Sequence, residues 1–207
     1  MNIEKFDNGI FRLKIPFQDI TTSVYFYVCE QGVAIVDSAK YSTDVDDYII
    51  PALEELNIKN NVQYLLFTHE HGDHSGGLQR LSEYFPKAII GCAFEVGLAD
   101  KMTLTDNKEI IGNLLAIHLP GHTESSFGFY DTVTKTLLTG DCLQLDGVGK
   151  YRDGISDFKS YANSINKLKN MEICNIIAAH EYEPLGSLAR GETEVKQYLE
   201  RCLKVSK

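Results

Sequence analysis

The chain lacks any apolar run approaching the ~20 residues that a bilayer-spanning helix needs, so a membrane protein is not expected. Its first residues, MNIEKFDNGIF, lack a basic region followed by an apolar core, so no secretory signal is expected. Basic residues are in deficit: 20 Lys and Arg face 29 Asp and Glu, a formal net charge of −9, with no strongly basic run. A surface of that sign repels phosphate backbones and anionic lipid, which excludes nucleic acid and membrane as general partners. Cysteine is sparse, and its five copies (Cys29, Cys92, Cys142, Cys174, Cys202) are odd in number and widely spaced. That pattern predicts reduced thiols rather than a disulfide framework, and hence a cytoplasmic protein. Linkers, low-complexity tracts and internal repeats are absent, so the 207 residues are expected to form one domain, 1–207. There is no G-x-S-x-G elbow either, and no serine or cysteine nucleophile is called for.

Histidine is scarce as well, with six copies, yet three of them stand inside six residues. The stretch FTHEHGDHSGG places His69, His71, Asp73 and His74 together. A solvated loop has no use for this cluster, whereas a metal ion does, because imidazole nitrogen and carboxylate oxygen are what zinc and its neighbours accept. Four donors so close in sequence cannot all close on one ion. A pair of ions is the more natural reading, and a pair requires bridging or additional ligands from elsewhere. His122 in LPGHTESS, Asp141 in LLTGDCL and His180 in IIAAHEYEP are the candidates, each just past an apolar strand-like run. His118 lies inside the run LLAIHLP and is read as a structural or surface-facing histidine and not a ligand, Glu70 is expected to point away, and Cys142 is expected to be buried and inert.

Residues rich in β-branched and aromatic side chains predict strands at 10–15, 23–29, 33–36, 63–68, 87–91, 109–111, 114–119, 127–130, 136–139 and 175–179. Helical spacing predicts helices over 44–56, despite Pro51, and over 76–85 with Ser75 as its cap. Further helices are expected over 93–101, 157–170 and 192–204. Strands first, then strands alternating with helices, point to α/β or α+β layers. His69, His122, Asp141 and His180 all fall at strand ends, where layered folds gather their sites.

These motifs in their order resemble the metallo-β-lactamase superfamily: T-H-x-H-x-D-H at 68–74, G-H-T at 121–123, T-G-D at 139–141 and a last strand-end histidine, His180. AIVDSA, with Asp37, resembles that family's early aspartate. The resemblance implies a four-layer αβ/βα sandwich, with two mixed β-sheets face to face, helices outside and metals at one edge. It also implies the ligands. His69, His71 and His122 would hold one ion, Asp73, His74 and His180 the other, and Asp141 would bridge them. Asp37 and Thr68 would stand behind the ligands and orient them. The implied cofactors are two divalent ions, zinc before iron or manganese, and the implied partner is a small-molecule substrate.

The stretch GDCLQLDGVGKYRDG, followed by a helix and AAHEYEP, resembles the glyoxalase II (hydroxyacylglutathione hydrolase) pattern. By that match Lys150 and Tyr182 would face the substrate. Hydroxide formed at the metals would attack a thioester or ester carbonyl, with Asp73 as the catalytic carboxylate that orients the nucleophile and shuttles its proton. Val148, Arg152 and Glu183 depart from the pattern, and 27 residues follow His180, a length at which a C-terminal helical domain is not expected. Three alternatives stay open: a lactonase, a persulfide dioxygenase with one iron on His69, His122 and Asp141, and a non-catalytic metal-stabilised binding or sensor domain.

Overall fold

A computed structural model describes residues 2–6, 9–18, 20–97, 101–143, 154–181 and 186–205. The chain resolves into two compact units, Met1–Leu104 and Thr105–Lys207.

The first unit is a seven-stranded mixed sheet in the order β1-β2-β3-β4-β5-β6-β7. Its strands are β1 (Ile3–Lys5), β2 (Ile10–Phe17), β3 (Ile20–Cys29), β4 (Gly32–Val36), β5 (Val62–Leu66), β6 (Ile89–Cys92) and β7 (Lys101–Thr103). β1 to β4 pair antiparallel, and β4 to β7 pair parallel. Alternate residues Leu13, Ile15, Val24, Phe26, Ile35 and Leu65 are buried with apolar residues of the unit's own helices. That period of two marks one covered face of the sheet.

Those helices are α1 (Ser42–Asp44), α2 (Ile50–Glu55), α3 (Gly72–Ser75) and α4 (Leu78–Tyr84). The helix expected over 44–56 forms, with Pro51 absorbed in a specific way. Val45–Ile49 is a π-helical stretch, and the Ile50 N–H donates to the Val45 carbonyl five residues back. Proline has no N–H to give the ladder, and widening the preceding turn accommodates it. Two expectations fail. Ser75 does not cap α4; it closes α3, and its Oγ donates to the carbonyls of Glu70 (2.9 Å) and His71 (3.1 Å). Gly77 opens α4 instead. Among the described residues of the stretch 93–101, which are 93–97 and 101, no helix forms. Gly97 has φ +64 there, and Lys101–Thr103 becomes β7 because β6 offers its unpaired edge.

The second unit is a six-stranded mixed sheet in the order β13-β12-β11-β10-β9-β8. It comprises β8 (Lys108–Ile111), β9 (Leu114–His118), β10 (Phe127–Asp131), β11 (Thr136–Leu138), β12 (Asn175–Ile177) and β13 (Leu188–Arg190). β10 is antiparallel to both β9 and β11, and β12 is parallel to β11. β9, β11 and β12 therefore all point the same way. Helices α5 (Phe158–Lys169) and α6 (Gly191–Val205) bury Tyr161, Ile165, Leu168, Tyr198 and Leu199 with Ile117, Leu137 and Ile176 of the sheet. Asp157 caps α5 by accepting from the N–H groups of Lys159 and Ser160. All five cysteine thiols are unbridged, as expected. Among the described residues no helix is long and apolar enough to cross a membrane.

Candidate metal centre

In the first unit the chemistry sits where β4 and β5 end side by side. The Asp37 N–H donates to the Leu66 carbonyl (2.8 Å), which brings Asp37 level with Thr68 and His69. Asp37 is 1% exposed and adopts φ +65, a left-handed conformation that costs most residues but that Asp tolerates. Its carboxylate accepts from the Thr68 N–H (2.8 Å), the Thr68 hydroxyl (2.9 Å to Oδ2) and His74 Nδ1 (2.9 Å).

These bonds determine which imidazole nitrogen is presented. A carboxylate only accepts, so His74 Nδ1 carries the proton and Nε2 keeps its lone pair. The Thr68 hydroxyl spends its one hydrogen on Asp37, so towards His69 Nδ1, 3.0 Å away, its oxygen accepts. His69 Nε2 is therefore also left as a lone-pair donor. Both rings are buried, as a metal-ligating pair held from behind requires.

His71 is exposed and is the extended residue that opens α3, while Asp73 lies in that helix's first turn. The His69 ring centroid is 4.7 Å from that of His71 and 4.2 Å from that of His74. Asp73 Oδ2 is 3.6 Å from His74 Nε2. Donor atoms within each of the pairs His69/His71, His69/His74 and Asp73/His74 lie within 4.8 Å of one another. The first unit thus brings together all four residues of the cluster. Glu70 is exposed.

α3 is pinned from two sides. Thr22 Oγ1 on β3 donates to the Asp73 carbonyl (3.2 Å), and Ser38 donates both its N–H (2.7 Å) and its hydroxyl (3.0 Å) to the His74 carbonyl. Gly76 and Gly77 permit this approach, since a Cβ on either would overlap the carbonyl oxygens of Lys40 and Ser38. Ser38 is a contributor that the sequence reading missed. Its position beside Asp37 is the one local signal for it.

In the second unit, the common direction of β9, β11 and β12 brings His122, Asp141 and His180 to one edge of the sheet. All three are buried, at 7%, 8% and 4% exposure. Asp141 Oδ1 is 3.3 Å from His180 Nε2, and Asp141 Oδ2 is 3.7 Å from His122 Nε2. One carboxylate thus turns one oxygen to each of two imidazoles. His122 Nδ1 donates to the Gly154 carbonyl, which again leaves Nε2 as the presented lone pair. His118, by contrast, spends Nε2 on the Glu124 carbonyl (2.9 Å), in keeping with a structural role, and Cys142 is buried. Lys150 and Tyr182 lie outside the described residues.

Residues 19–101 match the family model of the metallo-beta-lactamase superfamily. A probable hydroxyacylglutathione hydrolase of Schizosaccharomyces pombe is 34% identical over 188 residues, covering 82% of this chain and 68% of that protein. A hydroxyacylglutathione hydrolase of Pelagibacter ubique is 33% identical over 164 residues, covering 72% of this chain and 65% of that protein. The chain spans roughly half to two thirds of the length of the curated relatives it matches. Among solved structures, the metallo-beta-lactamase of Pontibacter korlensis superposes with a TM-score of 0.77 at 17% identity, covering 99% of this chain and 98% of that one, a likeness of fold. The fold is accordingly the layered α/β fold of that family, with two mixed sheets and their helices. By sequence and by fold, the chain belongs to the metallo-beta-lactamase superfamily.

Proposed function

We propose that the protein is a metal-dependent hydrolase that holds two divalent ions, zinc before iron or manganese, and cleaves a small-molecule thioester or ester. The observation that carries this reading is the tautomer control of three buried imidazoles. His69, His74 and His122 each have Nδ1 tied to a protein acceptor, so each offers Nε2. Nitrogen and carboxylate donors of this kind suit a borderline ion such as zinc. In the proposed centre His69, His71 and His122 hold one ion, Asp73, His74 and His180 hold the other, and Asp141 is shared. The proposal carries with it that the two units act as one domain.

Ions bound there would bring the pKa of a water towards neutrality and polarise the scissile carbonyl. The chain's own residues do the rest. Asp73 orients the attacking water and accepts its proton. The water oxygen bonds to the carbonyl carbon, the carbon–sulfur or carbon–oxygen bond breaks, and the proton passes to the departing thiolate or alkoxide. Asp37 and Thr68 keep His69 and His74 aimed while charge develops. The relatives named as hydroxyacylglutathione hydrolases support a thioester as the substrate class. The net charge of −9 supports a small-molecule partner rather than nucleic acid, and the five unbridged cysteines support the cytoplasm.

Protein purified without added metal is expected to carry about two equivalents of divalent ion by elemental analysis. Chelation should abolish thioester turnover, and readdition should restore it. Turnover by metal-free protein would refute the reading.

Lys150, proposed with Tyr182 to meet the substrate, provides a second test. Lys150→Ala should leave metal content unchanged. It should raise KM for an anionic thioester roughly 10- to 150-fold, the worth of one charged hydrogen bond. Neutral lactones should respond much less. Equal kinetics on every substrate would return Lys150 to a solvated lysine.

A further inference from the structure

Helix α5 carries an anomaly on its buried face. Tyr161, Ile165 and Leu168 are the apolar residues there, and Ser164, 4% exposed, sits among them. A hydroxyl in a core position is unfavourable unless bonded. A serine in a helix ordinarily bonds back to the carbonyl four residues earlier. Ser164 instead donates across to the Pro120 carbonyl at 2.7 Å, two residues before His122.

The turn that receives this bond lies directly on the helix. Gly121 adopts φ +141, and a Cβ there would stand 2.5 Å from the Tyr161 Cα. Its carbonyl accepts from the Ser156 N–H (2.8 Å), the Asp157 N–H (3.1 Å) and the Ser156 hydroxyl (3.1 Å). His122 Nδ1 then donates to the Gly154 carbonyl. The imidazole is thus aimed by a turn whose two preceding carbonyls are held, one by the middle of α5 and the other by the residues just before that helix. At Gly121 three donors share the work. Among the described residues, Ser164 alone bonds the Pro120 carbonyl through a side chain.

We propose that Ser164 is a positioning residue for the metal centre, setting the direction of His122 through the Pro120 carbonyl. The inference rests on the proposed metal reading, in which His122 is a ligand. It adds a residue with no metal-binding chemistry, about forty positions along the chain and separated from its target by β10 and β11.

The test compares variants by zinc affinity, measured by competition with a chromophoric chelator and independent of turnover. Ser164→Ala should weaken one of the two zinc equivalents by about 10- to 100-fold, the usual cost of losing the support behind a ligand. The other equivalent should move much less. Ser164→Cys, which keeps the side-chain volume with a weaker donor, should fall between wild type and Ser164→Ala, and it carries the test if the alanine variant folds poorly. Ser156→Ala should change affinity by less than about threefold, because two backbone donors remain at the Gly121 carbonyl. A general loosening of α5 would instead weaken both equivalents together, and would overturn the inference. Wild-type affinity in both Ser164 variants overturns it alone. Wild-type protein that takes up no divalent ion overturns it together with the metal reading.

Discussion

Asp73→Ala is expected to lower kcat/KM for a thioester by about 10²- to 10⁴-fold, the range for removing a positioned proton-transfer group. Glu70→Ala, three residues away, should stay within about twofold, as exposed substitutions usually do. The contrast follows from α3. His71 opens that helix in an extended conformation, which places Asp73 in its first turn with Oδ2 3.6 Å from His74 Nε2. Glu70 falls just outside the helix with its side chain exposed, and what the fold uses of it is the backbone carbonyl that receives Ser75 Oγ. Asp73 is held on the opposite side by Thr22 through its own carbonyl, so alanine there keeps the backbone anchor and removes the carboxylate alone. Steady-state kinetics beside metal content would check this. Equal losses for the two variants would mean the cluster is in a different register from the one assigned.

Asp37→Asn is expected to destabilise the metal-free protein by about 1–3 kcal/mol, the cost of leaving a buried hydrogen-bonding group unpaired. Asn keeps the volume and tolerates the left-handed φ of +65, so backbone strain does not enter. What changes is acceptor capacity. The carboxylate takes three donors, from the Thr68 N–H, the Thr68 hydroxyl and His74 Nδ1. An amide replaces one oxygen with an NH₂, leaving a buried donor facing a donor. At about 2–4 °C per kcal/mol for a chain of this size, Tm should drop by roughly 2–12 °C. Denaturant unfolding of chelator-treated wild type and variant isolates this from metal binding. A change below about 0.5 kcal/mol would show that the network contributes no more than an ordinary surface site. The variant should also bind metal more weakly at His74, since that Nδ1 loses the carboxylate that sets its tautomer.

Much of the fold was legible because its signals are local. Runs such as YLLFTH and NIIAAH are apolar strand-forming stretches, and each runs into a candidate ligand, so strand and ligand could be read together. The helix over 157–170 repeats its apolar face within four turns and carries its own cap. The three-residue strands β1, β7 and β13 left no periodicity to read, and each exists because a neighbouring edge offers hydrogen bonds. The helix expected over 93–101 yielded to the edge of β6 for the same reason.

The cluster His69, His71, Asp73 and His74 is contiguous enough that the sequence by itself determined it, and the motif order determined the family. Histidine alone does not say which nitrogen it presents. His118 and His122 stand four residues apart with identical side chains, yet one spends Nε2 on the Glu124 carbonyl and the other spends Nδ1 on Gly154. The grip of Asp37 on His74, of Ser38 on α3, and of Ser164 on the turn before His122 were likewise decided only by the tertiary structure. Each is a bond between residues 36 to 44 positions apart. Its partner is selected by which strand ends and helix faces the fold brings level, and no property of either residue's sequence neighbours encodes that.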